Sequence, residues 1–172
     1  MALTLIWRLE DRLVDRRGLL TRLDKAWSEF QEARAGLSEA QLMMPGVTGK
    51  WSVRDILAHV TTWEEEALKH LPLVLEGGRP PRYSSTYGGI DSFNALKTEQ
   101  KKNLPLAQIL EEMHDVHRRL IAYLESVPLG QFQEETRFRH RLRLDTYSHY
   151  PIHAKSIWRW REKQGFGATR LF

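Results

Sequence analysis

Apolar residues recur every three or four positions in four separate stretches, and this spacing constrains the fold more than any other feature of the chain. Between Leu3 and Arg34 the stripe is Leu9, Leu13, Leu20, Leu23, Trp27 and Phe30. From Val53 to about Leu71 it is Val53, Ile56, Leu57, Val60, Trp63 and Ala67. A third stripe is Ile109, Met113, Val116, Leu120, Tyr123, Leu124 and Val127, and a fourth runs through His149, His153, Ile157 and Trp160. A period of 3.6 residues puts each set on one face of a helix, and helices with one apolar face must bury it against one another. The expected fold class is therefore all-α, a helical bundle.

Glycine and proline mark the ends of these stretches. Gly36 is a C-terminal stop for the first, where Gly18 leaves open either one long helix or a short helix preceding a main one. Pro45, Gly46 and Gly49 keep Leu37–Lys50 a connector. Ser52, with Asp55 three residues on, reads as an N-cap with a capping acid. The longest loop is Leu75–Gly89, broken by two Gly pairs and Pro-Pro, and its Arg79, Arg82, Tyr83 and Tyr87 are placed either to meet a substrate or to make a plain helix-to-helix crossover. A shorter helix starts at Asp91 or Ser92, Pro105 opens the third long one, and Pro128 ends it. Arg137, Arg139, Arg141 and Arg143 alternate with Phe138, His140, Leu142 and Leu144. That period of two predicts an extended connector with one side on the bundle and the arginines solvated or forming an anion patch.

With 172 residues the chain suits one domain. The absence of cysteine excludes disulfides, thiolate zinc sites and a cysteine nucleophile, so any metal must be held by nitrogen and oxygen. The first residues lack the pattern of a signal peptide, and no stretch is long and apolar enough for a membrane span. A cytoplasmic location is expected. Net charge is +4, but 22 acidic side chains are mixed among 26 basic ones, which fits a solvated surface better than a nucleic-acid footprint.

Histidines carry the chemistry. His149 and His153, four apart, project from one helix face a turn apart, a spacing that lets two imidazoles hold one ion. Pro151 between them is tolerated if it lies in the first helical turn. His59 falls on the inward face of the second long helix and can supply a third nitrogen; it can equally be a hydrogen-bonded core residue. His114 and His117, three apart, are a competing pair, and His70 and His140 have no partner by spacing. Glu64, Glu65 and Glu66 begin the outer surface on this reading. Three neutral imidazoles with open positions would make a reactive site, able to lower the pKa of a bound water or polarise a substrate oxygen.

Three motifs, GKWSVRDILAHVTTWEEE at Gly49–Glu66, DSFNALKTEQ at Asp91–Gln100 and DTYSHYPIH at Asp145–His153, resemble the DinB-like four-helix bundle superfamily, and more narrowly its ClbS/DfsB branch. The resemblance covers about Leu19–Gly165. It implies an up-down-down-up bundle whose metal ligands map to His59, His149 and His153, with Zn²⁺ or Ni²⁺ bound and a homodimer as one assembly. Residues 1–17 stand outside the family core as an N-terminal helical extension, and Arg137–Arg143 is richer in arginine than the pattern. Members of the superfamily transfer thiols to electrophiles, or isomerise or hydrolyse small molecules. The ClbS/DfsB branch is associated with protection from a genotoxic metabolite by hydrolytic ring opening. The resulting expectation is a metal-dependent enzyme of hydrolase or thiol S-transferase type acting on a small molecule in detoxification or self-protection. Glu64, Tyr87, Asn94 and Tyr147 are its candidate substrate contacts. The alternatives are a binding protein that sequesters a small molecule or toxin without turnover and, third, a nucleic-acid binder acting through the four arginines.

Overall fold

The computed structural model describes the backbone of residues 2–133 and 136–167, and the side chains of 16–133 and 136–167. The order of elements is α1 (Ala2–Arg34), α2 (Glu39–Met43), α3 (Val53–Leu75), α4 (Tyr83–Tyr87), α5 (Ile90–Lys101), α6 (Leu106–Ser126), a 3₁₀ turn (Leu129–Phe132), α7 (Arg137–Asp145) and α8 (Tyr150–Gln164). The four long helices are α1, α3, α6 and α8; α1 packs on α8 and α3 on α6. Gly18 does not interrupt α1, which is one continuous helix. Leu9 and Leu13 of the predicted stripe lie outside the described side chains.

Most of the remaining stripe residues meet in one core. Leu23, Phe30, Ile56, Leu57, Leu71, Met113, Leu120 and Ile157 are fully buried, with Phe132 and Phe138 closing the end beyond α6. Helix α3 opens with the predicted box: Asp55 N donates to Ser52 Oγ (3.2 Å) and Ser52 N to Asp55 Oδ2 (3.0 Å). It then continues to Leu75, carrying Pro72 in its last turn. Gly36 and Gly165 sit at φ 74° and 69°, the left-handed conformation that closes α1 and α8.

Two expectations are corrected. Arg137–Asp145 is the helix α7, not an extended connector. Phe138 and Leu142 are four apart, so the alternating run also fits one helical face; these two are buried while His140 and Leu144 are exposed, and Thr136 caps the turn by accepting from Arg139 N (3.1 Å). Its arginines are engaged locally. Arg137 donates to the Gly78 carbonyl (2.6 Å), Arg139 to the Phe132 carbonyl (3.0 Å), and Arg141 to Asp145 and the Tyr83 hydroxyl.

The second correction concerns Glu64 and Glu66, which do not begin an outer surface but are buried at 0% and 6% exposure; Glu65 between them is partly exposed. Helix α3 touches α2, α5, α6, α7 and α8, which leaves only a narrow stripe through Glu65, Lys69 and Leu73 toward water. The long loop is also less irregular than its composition suggests, since it folds into the single turn α4 at Tyr83–Tyr87.

Candidate metal centre

His59 lies two turns into α3, His149 in the turn leading into α8, and His153 in the first turn of α8. The turn Thr146–His149 is held by His149 N and Tyr150 N donating to the Thr146 carbonyl (2.7 and 2.9 Å). Pro151 is the second residue of α8, where its missing N–H costs no intrahelical bond. The three rings converge through one atom type. His59 Nε2 is 3.1 Å and His153 Nε2 2.9 Å from His149 Nε2, and ligand atoms of all three lie within 4.8 Å of one another.

Hydrogen bonding alone does not account for this convergence. An imidazole nitrogen has one in-plane site, either a proton or a lone pair, so His149 Nε2 cannot make a linear hydrogen bond to both neighbours. A shared cation satisfies all three nitrogens at once. Nitrogens about 2.1 Å from an ion are about 3.0 Å apart at right angles and about 3.4 Å apart at the tetrahedral angle. The separations of 2.9 and 3.1 Å fit three nitrogens arranged around one ion.

The rings are also held in the ligand form. Burial pulls the His59 pKa down to about 3, with the neighbouring His153 adding to the effect. Burial, then His153 and His59, pulls His149 down to about 2, and burial takes His153 to about 4. Neutral imidazole is the form that binds metal. His149 Nδ1 makes no well-formed hydrogen bond, although the Asp145 backbone lies close enough to act on it. That is the side from which a carbonyl fixes the tautomer of a ligating histidine.

Aromatic rings wall the centre. Trp51 lies 4.9 Å from the His59 ring and Trp63 lies 6.1 Å from His149, and the Trp63 indole donates to Asn94 Oδ1 (3.2 Å). Behind Trp63 stand Tyr83 and Phe93, at 5.5 and 5.4 Å, with Tyr87 stacked on Tyr83. A shallow cleft reaches His59 from the side of α5, lined by Arg54, Asp55, Ala58, Thr62, Lys97 and Thr98. Of the residues singled out as substrate contacts, Asn94 and Tyr87 thus border the aromatic wall, and Tyr147 is buried in the turn before His149.

Two buried polar clusters flank the centre. In the first, Glu64 Oε1 accepts from Tyr150 Oη and pairs with His117 Nδ1 (2.8 Å), while the His117 ring stacks on Trp27 at 3.7 Å. Burial raises the Glu64 pKa. In the second, Tyr83 Oη donates to Glu66 Oε2 (2.6 Å), His70 Nε2 lies 3.0 Å from that oxygen, and Arg141 bridges Tyr83 to Asp145. Burial lifts the Asp145 pKa to about 7 against the pull of Arg141. His70, without a partner by spacing to another histidine, is therefore a partner of Glu66. His114 and His117 form no metal-holding group among the described residues.

Spacing alone places Glu64 inside: it lies four residues after Val60 and three before Ala67, on the apolar stripe itself. No comparable signal reaches Trp51, which meets the His59 ring only through the docking of the connector, or Lys97, which shares the cleft lining with His59 only through the docking of α5.

Residues 22–151 match the sequence pattern of the DinB superfamily, more than half of the chain and including His59 and His149. Searches of curated proteins and of solved structures returned no significant match. With an all-α bundle, three convergent histidines and a family match over most of its length, the chain belongs to the DinB superfamily.

Proposed function

We propose that the protein is a metal-dependent enzyme acting on a small molecule, of the hydrolase or thiol S-transferase type. The observation that carries this reading is the meeting of three Nε2 atoms at 2.9 and 3.1 Å on buried, neutral rings. His59, His149 and His153 are the proposed ligands, and Zn²⁺ or Ni²⁺ suits three imidazole nitrogens. When bound, such an ion supplies Lewis acidity to a coordinated water, thiol or substrate oxygen. The chain supplies the rest. Trp51 and Trp63 keep bulk water from the rings, Asn94 fixes the Trp63 indole, and Tyr87, Asn94 and Tyr147 are the proposed substrate contacts. A place in the ClbS/DfsB branch, and with it a role in detoxification, is supported by the DSFNALKTEQ and DTYSHYPIH motifs.

The second reading, a protein that sequesters its ligand, is favoured by the shallowness of the cleft beside His59 and by the lack of an evident free acid or base there, since Asp55 is tied to Ser52 and Arg54. Metal content of untagged protein, measured by plasma mass spectrometry, tests the shared premise. Near-stoichiometric metal in the parent, lost in a His59→Ala, His149→Ala double variant, is expected. No uptake after addition of Zn²⁺ or Ni²⁺ would overturn it. Mass spectrometry of candidate electrophiles and esters after prolonged incubation then separates turnover from stoichiometric capture.

A further inference from the structure

We infer that the small molecule taken by this site carries an acid group, and that Lys97 binds it beside the His59 edge of the centre. The inference rests on the metal reading above and concerns the cleft that leads to it.

The cleft is lined by two cationic side chains, Arg54 and Lys97, and they differ in what they already hold. Arg54 is 3% exposed and both its terminal nitrogens are engaged, Nη2 donating to the Lys101 and Leu104 carbonyls and Nη1 to Asp55 Oδ1 (2.9 Å), while its Nε is buried without a partner. Asp55, the one carboxylate of the lining, is in turn occupied by Arg54 and by the Ser52 cap. One turn beyond Lys97 on the same helix, Lys101 is paired with both Glu65 (3.1 Å) and Glu112 (3.4 Å). Lys97 is half-buried and has no carboxylate within ion-pair distance among the described residues. Its ammonium lies 5.8 Å from the Phe93 ring centre, a contact that steadies the side chain but neutralises nothing.

The place of Lys97 on the fold is set by the packing of α5. Phe93 is fully buried against Trp63, and Asn94 accepts from the Trp63 indole, so α5 is pinned to α3 one turn before Lys97. That register places Lys97 in the lining of the same cleft as His59. Three neutral histidines contribute no charge to offset a divalent ion. An unpaired ammonium at the same cleft adds to the positive potential instead of balancing it. Such a site favours an anion, and an ammonium facing a low-dielectric wall makes a charge-assisted hydrogen bond stronger than a neutral one. Carboxylate and phosphate share this chemistry.

The test uses full-length protein loaded with Co²⁺, whose visible bands report a change of ligand, titrated with oxalate and separately with inorganic phosphate at constant ionic strength. Saturable band shifts are expected in the parent for at least one of the two, and which one responds assigns the acid group. Lys97→Gln should weaken binding by about tenfold, the loss of one charge-assisted contact. Lys97→Glu should weaken it further. Neither variant should lower Co²⁺ affinity, and a control Lys155→Gln on the exposed side of α8 should change nothing. Equal anion affinity in Lys97→Gln and parent overturns the inference, as does Co²⁺ loading without any anion response. Failure of the parent to bind Co²⁺ overturns the metal reading itself and this inference with it.

Discussion

Acid should unfold the metal-free protein through its three convergent histidines, and the size of the effect can be worked out ring by ring. An unfolded histidine takes up a proton near pH 6.5. His149 in the fold does so only near pH 2, His59 near 3 and His153 near 4. A depressed folded pKa means the unfolded state binds the proton first. Stability is therefore whole above pH 6.5 and falls as pH drops through the window between 6.5 and the folded values. At pH 5 the window is about 1.5 units deep for each ring, or about 2 kcal/mol at 1.36 kcal/mol per unit. The three rings together give about 6 kcal/mol, comparable to the whole stability of a small domain. His70 and His114 are also depressed by burial, so the parent curve alone does not isolate the centre. The difference between parent and His149→Gln does. Urea unfolding of metal-free protein followed by circular dichroism at pH 8 and pH 5 should show the variant losing about 2 kcal/mol less than the parent. Identical losses would refute the claim that His149 is held neutral by its surroundings.

Other perturbations have separate outcomes. Glu64→Ala, which strands the Tyr150 hydroxyl and His117 in the core, should cost about 2–3 kcal/mol in chemical denaturation, whereas Glu64→Gln should cost less by keeping an acceptor. Ser52→Ala removes the α3 cap and should lower stability by about 1 kcal/mol, read as a shift of the thermal midpoint. Tyr83→Phe breaks the link between Glu66 and Arg141; about 1 kcal/mol of destabilisation and faster proteolysis around α4 are expected, with metal stoichiometry unchanged.

The bundle and the His149–His153 pair were legible because both depend on spacing along the chain, while His59 was joined to them by the family resemblance. The i, i+4 relation of His149 and His153 survives folding whatever else happens, and the inward register of His59 follows from Ile56 and Trp63 around it. What spacing does not give is how many neighbours a helix has. Of the three glutamates, Glu64 lies on the apolar stripe itself, whereas the burial of Glu66 follows only once α7 and Tyr83 pack over it; His117 and Tyr150 partner the first, Tyr83 and His70 the second, and Glu65 stays partly exposed beside Lys101. The arginine run misled for a related reason. Eight residues satisfy both a period of two and an i, i+4 pair, and only the burial of Phe138 and Leu142 decides between them.

His149 and Tyr150 are consecutive, yet one turns its ring toward His59 and His153 and the other its hydroxyl toward Glu64. The histidine cluster and the seating of α8 are therefore assigned to different side chains. A chain that lost all three histidines would still have Tyr150 anchored in the interior and Arg161 fastened to the Ala33 and Ala35 carbonyls at the other end of the helix. The scaffold can thus be inherited with the histidine cluster deleted or replaced, so a shared bundle says little by itself about a shared reaction.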